Sequence, residues 1–235
     1  MRAPEPSHSG IAARAERGTA LALLPIAATL DYYTLPDWLQ EQTLVQFAPQ
    51  IIAYLAFGLW AAHNSERVFR LGLEKQKIGS GVRLGLFTGL ALGCLNSFMI
   101  LRMFPDWGYD ITFLRDTPHA RMPMFAMVPW VIAVIAIFVE LNFRGFLLGR
   151  LLAMIETLPG QRRQTCIAVP AVIVSAIVFA FDPFMTRTFR HLHWIAVWDG
   201  ALWGALYVMT RNLYIPIVAH AVEVILVYSV VRSVL

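Results

Sequence analysis

The sequence predicts an all-α protein: a polytopic transmembrane helix bundle of about seven helices, six clear and one short near the N-terminus. Three observations predict it. Hydrophobic residues make up 58% of the chain and charged residues only 14%, where soluble domains carry about a quarter charged residues. Mean hydropathy is +0.60. The apolar residues also fall into blocks joined by short polar loops, and several blocks approach the ~20 residues a helix needs to cross a ~30 Å hydrocarbon core.

The first eighteen residues, Met1 to Gly18, carry Arg2, Glu5, Arg14, Glu16 and Arg17, and no small-residue cleavage signature follows them. They are expected to form a cytoplasmic N-terminal segment, 1–18, ahead of a single transmembrane domain, 19–235. Thr19 to Leu30 is short, contains Pro25 and runs into Asp31, which suits a tilted span or an interfacial helix. The six clear spans are Thr43 to Ala62, Leu84 to Phe104, Met122 to Phe143, Thr165 to Phe181, Trp194 to Thr210 and Leu213 to Val231.

Loop charges decide the orientation. Five Arg or Lys lie between Asn64 and Arg83 and three from Arg150 to Arg163, against none between Asp31 and Gln42 and two from Pro105 to Arg121. The richer loops are expected to face the cytoplasm. Counting the short first segment as a span puts the basic N-terminus on the same side. Aromatic residues at the block edges (Tyr32, Tyr33, Trp38, Trp107, Tyr109, Trp194, Trp198) read as interfacial anchors. Gly85, Gly89 and Gly93, and again Gly200 and Gly204, recur at helical spacing and read as sites of close helix approach.

Several functions are set aside at once. The net charge of +4 sits between apolar blocks, where it orients helices, so nucleic acid is not an expected partner. Two cysteines, Cys94 and Cys166, give neither a disulfide framework nor a thiolate metal site. His191 and His193 lack a zinc spacing. No phosphate loop, nucleophile elbow or His-Glu-x-x-His helix occurs. No metal and no cofactor is expected. Seventeen Arg against two Lys point to a GC-rich bacterium, and so to a bacterial inner membrane.

Ionisable groups inside apolar blocks are the candidates for chemistry, because each costs about 2.5–3.5 kcal/mol on insertion scales unless it faces a partner. Glu140 precedes Arg144 by one helical turn, which allows an ion pair along one face. His220 lies in the last block with Glu223 three residues on. Asp182 precedes Pro183, ordinary chemistry for a helix end. At about 1.5 Å per residue, Glu140 and Asp182 lie about 27 Å from the turn joining their helices, so the two are expected at matching depth across a cavity.

The stretch Val139-Glu140-Leu-Asn-Phe-Arg144-Gly145 resembles the first motif of the CPBP family, the CAAX proteases and bacteriocin-processing enzymes, written Glu-Glu-x-x-x-Arg-Gly. Asp199-Gly200-Ala-Leu-Trp-Gly204 and Pro216-Ile-Val-Ala-His220 are similar to its glycine helix and final histidine helix, so the resemblance covers 129–235. It implies a helical membrane bundle in which the first Glu activates water, with histidines and an Asn assisting. Here Val139 stands at the first Glu position, Val224 at the Asn position and Pro183 at a histidine position, with a displaced match ending at His193. What the resemblance keeps is structural: the pair Glu140 and Arg144, and the packing glycines Gly145, Gly200 and Gly204. The expected function is a catalytically eroded subunit that binds, assembles or scaffolds another transmembrane protein or helix. The alternative is an intramembrane endopeptidase using Glu140 and His220, with Asp182 and His193 as further catalytic candidates.

Overall fold

The protein is described by a computed structural model covering residues 16–156 and 164–235. Most of the predicted N-terminal segment, residues 1–15, lies outside the described residues. Among the described residues eight main helices build the fold: α1 (Thr19–Tyr32), α2 (Thr43–His63), α3 (Ile78–Phe98), α4 (Met124–Glu156), α5 (Gln164–Ala180), α6 (Pro183–Phe189), α7 (Ile195–Thr210) and α8 (Tyr214–Val234). No strand occurs among the described residues.

α2, the helical run Arg67–Asp106 that contains α3, α4 and α8 are each long and apolar enough to cross a bilayer. α5 and the run through α6 and α7 qualify as a pair bent by 54° at Phe181 and Asp182. Within that pair Gly200 lies against Ala176, and Gly204 lies against Val172. This register belongs to helices that run in opposite directions. α1 is shorter, about 21 Å at about 1.5 Å per residue, and packs along α2.

The fourth apolar block ends at Phe143, where it meets Arg144, but its helix α4 continues to Glu156, as the estimate of about 27 Å for Glu140 requires. The helix continues because its arginines are paired inside the bundle. Arg144 meets Glu140 at 3.2 Å, and Arg150 pairs with Glu16 while lying 4.1 Å over the Trp60 ring. Glu16 also accepts from Trp60 Nε1 at 2.8 Å and from Arg70 Nη1 at 3.0 Å. Asn64 then exchanges hydrogen bonds with the Arg17 backbone at 3.1 and 2.9 Å. The start of the described chain is thus fastened to the loop after α2 and to the end of α4.

The longest helix contact is that of α3 with α8, and glycine makes it. A Cβ added at Gly81, Gly85, Gly89 or Gly93 would come within 2.5–2.8 Å of α8 atoms, closer than any side chain tolerates. The four-residue spacing keeps all four on one face. Small residues suit such seams in a bilayer, where lipid leaves little hydrophobic drive between helices and close backbone packing supplies the attraction. The outward faces are apolar instead: Leu44, Leu55, Phe87 and Phe125 are all exposed.

α6 caps one end of the α5–α7 hairpin. Asp182 is its N-cap: Oδ1 accepts from the Phe184 backbone N–H at 3.0 Å, with Pro183 following at the first helical position. The same Oδ1 accepts from Gln50 Nε2 on α2 at 2.7 Å. Replacing Asp182 with Ala is expected to cost about 0.5–2 kcal/mol, the usual range for a lost cap, while Asp182→Asn keeps most of it. Thermal unfolding of the detergent-solubilised protein distinguishes the two.

Candidate functional site

Glu140 sits sixteen residues from each end of α4, about 24 Å at about 1.5 Å per residue, and therefore near mid-depth of a spanning helix. Its Oε1 accepts from Arg144 Nη1 at 3.2 Å and lies 2.8 Å from His220 Nδ1 on α8. Glu140 and Arg144 are fully buried and His220 nearly so. One carboxylate oxygen thus joins two helices and two basic side chains.

The local backbone favours this. Glu140 lies between two π-helical stretches, Val131–Ala136 and Leu141–Leu148. Such widened turns occur often at functional positions, and here the second one carries Arg144 inward. The guanidinium is clasped between rings, 4.5 Å from the Phe179 centroid on α5 and 5.2 Å from Trp203 on α7. Gly200 leaves room for it, since a Cβ there would lie 3.0 Å from Arg144 Nη2. Trp203 also stacks on the His220 imidazole, with centroids 4.8 Å apart and planes 19° apart. Aromatic surface therefore covers the ionic group on its α5 and α7 sides.

Some polar atoms here have no hydrogen-bond partner among the described residues: Glu140 Oε2, Arg144 Nε and Nη2, Asn142 Oδ1 and Trp203 Nε1. Buried polar atoms seldom stay unpaired.

A second polar group adjoins the first. Asn96 Nδ2 on α3 donates to Asp199 Oδ1 and Oδ2 on α7, at 3.2 and 3.0 Å, and to Glu223 Oε1 on α8 at 2.9 Å. Asn96 Oδ1 accepts from Trp198 Nε1 at 3.0 Å. All of Asn96, Asp199 and Glu223 are buried. Glu140 and Arg144 lie close enough to act electrostatically on Asp199, and His220 and Glu140 on Glu223.

Sequence reasoning missed Asn96. It continues the glycine stripe, one helical step beyond Gly93, and an amide in line with glycines inside an apolar block was the available signal. In the sequence Asp199 and Glu223 stand out only as neighbours of Gly200 and His220.

The remaining sequence candidates fall as follows. The expectation that Asp182 faces Glu140 is not met: its carboxylate is committed to Gln50 and the start of α6, because Asp before Pro initiates that helix. His193 packs against Phe181 and Trp194 at the hairpin end, with Nδ1 against the Arg190 carbonyl. Neither residue hydrogen-bonds to Glu140 or His220 in the described structure. Val139 packs against the main apolar core, and Val224 packs beside Met127 and Tyr228. Gly145 and Gly204 admit close neighbours, with an added Cβ 3.0 Å from Leu71 and 3.1 Å from Val172 respectively. Among the described residues, no group of three His, Cys, Asp or Glu converges as metal ligands would.

Two cavities of about 280 Å³ lie away from Glu140. One is lined by Phe104, Trp107, Tyr109, His191, Trp194 and Trp198 with Met99, and the other lies between α1 and α2.

Comparison with known proteins agrees with the motifs. Residues 121–226 match the family described as Rce1-like, the type II CAAX prenyl endopeptidase Rce1-like group. The matched stretch holds Glu140, Arg144, Asp199, His220 and Glu223, while Asn96 lies outside it. No curated protein and no solved structure matches the chain.

Proposed function

We propose that this Rce1-like membrane protein does not hydrolyse peptide bonds and instead binds a transmembrane segment of another membrane protein, serving its assembly or stability. The observation that carries this reading is the commitment of the acid and base to each other: Glu140 Oε1 is shared by Arg144 and His220 beneath Phe179 and Trp203. Peptide hydrolysis needs a base for water and donors for the developing oxyanion. Loss of one oxyanion donor alone costs about 10²–10³ in rate. Val139 and Val224, both packed among apolar side chains, occupy the positions where the family resemblance calls for a base and an amide. The amide of Asn96 is spent on Asp199 and Glu223 through Nδ2.

The reading extends to location: a bacterial inner membrane, with Glu16 and the basic loop after α2 at the cytoplasmic end. Its test is co-purification from mild detergent. A stoichiometric membrane partner, retained by the Glu140→Gln and His220→Ala variants that stay folded, is the expected result. Recovery of the chain alone, under conditions that preserve its fold, would overturn it.

One observation favours a second reading. Glu140 Oε2 is buried with no hydrogen-bond partner among the described residues, next to an oxygen held 2.8 Å from His220, as a carboxylate and imidazole acting together on a water would require. On that reading the protein is an intramembrane endopeptidase, and either substitution, Glu140→Gln or His220→Ala, abolishes processing of its substrate.

A further inference from the structure

We propose that Asn96, Asp199 and Glu223 form a proton-binding site buried within the helix bundle, in which the two carboxyl groups hold a proton at neutral pH. The proposal goes beyond the binding function and stands whether or not the protein hydrolyses anything.

Geometry sets the ligand. Both carboxyl groups converge on one amide nitrogen, Asp199 at 3.0 Å and Glu223 at 2.9 Å. The orientation of that amide follows from Trp198, whose indole N–H can only donate and does so to Asn96 Oδ1 at 3.0 Å. The amide therefore presents hydrogens, not its oxygen, to the carboxyls. A metal cation seated between the carboxyls would face those hydrogens, whereas a proton on a carboxyl oxygen would not.

Charge sets the need. α4 contributes Glu140 and Arg144, α7 contributes Asp199, and α8 contributes His220 and Glu223, while α3 brings only the neutral Asn96. Three acids face one permanent cation and one imidazole. Even with His220 charged, the cluster carries an excess negative charge until one carboxyl is protonated. Every one of these groups is more than nine-tenths buried, where neutralisation by proton uptake is the ordinary outcome for an unpaired charge. Polar atoms without hydrogen-bond partners among the described residues, Arg144 Nε and Nη2 and Glu140 Oε2, belong to the fully buried side chains that act on Asp199. The cluster thus retains unused hydrogen-bonding capacity beside the carboxyl pair.

The site has a mechanical consequence, because α3, α7 and α8 meet at it. Losing the proton would set two anions against each other beside the glycine seam of α3 and α8.

Infrared spectroscopy of the full chain in lipid at neutral pH tests the proposal. The expected result is a carboxylic acid C=O band that shifts in heavy water and disappears in at least one of Asp199→Asn and Glu223→Gln. Each of these amides imitates a neutral carboxyl, so both variants are expected to keep the wild-type fold. Where an amide variant fails to fold, Asp199→Glu or Glu223→Asp, which keeps the carboxyl and is expected to move the band, takes its place. Absence of the band from the wild type, or its full survival in both Asp199→Asn and Glu223→Gln, would overturn the proposal.

Discussion

Replacing Arg144 with leucine is expected to be among the most destabilising single changes in the bundle. Removing one member of a buried ion pair typically costs about 3–5 kcal/mol, because the remaining charge is left uncompensated. Here the remaining group is Glu140, fully buried at mid-depth of α4 with His220 as its other neighbour. The guanidinium also fills the space between Phe179 and Trp203, so packing is lost with charge. A double-mutant cycle separates these contributions. Arg144→Leu combined with Glu140→Leu is expected to recover a substantial part of the loss, since replacing both members of a buried pair by apolar residues is often neutral or better. Equilibrium unfolding in mixed detergent micelles measures both. Equal instability of the single and double variants would mean that packing around the guanidinium, and not the pair, is what matters.

The second large effect is expected at Gly89. A Cβ there would lie 2.6 Å from the Ala219 carbonyl oxygen, 2.8 Å from Val222 Cβ and 3.0 Å from Ala219 Cα. Two of these atoms are backbone, so no rotamer change relieves the clash and α3 must move away from α8. Overpacking of this kind typically costs about 1–3 kcal/mol, and Gly89→Val should reach the upper part of that range. The displacement would also draw Asn96, two turns along α3, away from Asp199 and Glu223. Gly79 is the control, because an added Cβ there meets nothing within 4 Å. Gly79→Ala in the same helix is expected to be neutral or stabilising by up to about 1 kcal/mol. Thermal unfolding of the two variants side by side checks the contrast, and similar losses from both would contradict the seam.

These two sites show what was legible from the sequence and what was not. Block lengths located the spans well, because apolar runs bounded by polar loops are a direct consequence of the bilayer: predicted Thr43 to Ala62 became Thr43–His63, and predicted Leu213 to Val231 became Tyr214–Val234. The glycine spacing likewise marked the α3 seam before its partner helix was known. Hydropathy misjudged α4, since it treats Arg144 as the end of a span when pairing lets the helix carry that charge inside. Asp182 was misplaced because equal distance along two helices fixes depth but not which way a side chain turns, and its role as a cap directs it to Gln50.

The association of Glu140 with His220 depends on how α4 and α8 are juxtaposed, which no local pattern encodes. Asn96 was hidden for the same reason: an amide in an apolar block looks tolerable until two carboxylates from other helices arrive beside it. Glu16 resembled an ordinary charged residue in a polar leader, and only the fold places it among Trp60, Arg70 and Arg150. Long-range pairing of polar groups is thus the part of this protein that sequence alone could not supply.

The central claim is that the buried Glu140–His220 pair holds helices together and does not cleave. The most direct measurement incubates the purified full chain, reconstituted in lipid, with a prenylated peptide ending in a Cys-a-a-X sequence and follows release of the C-terminal fragment, with Glu140→Gln in parallel. The account predicts no release from the wild type above that of the variant. Release by the wild type that Glu140→Gln abolishes, with the variant still folded, would contradict it.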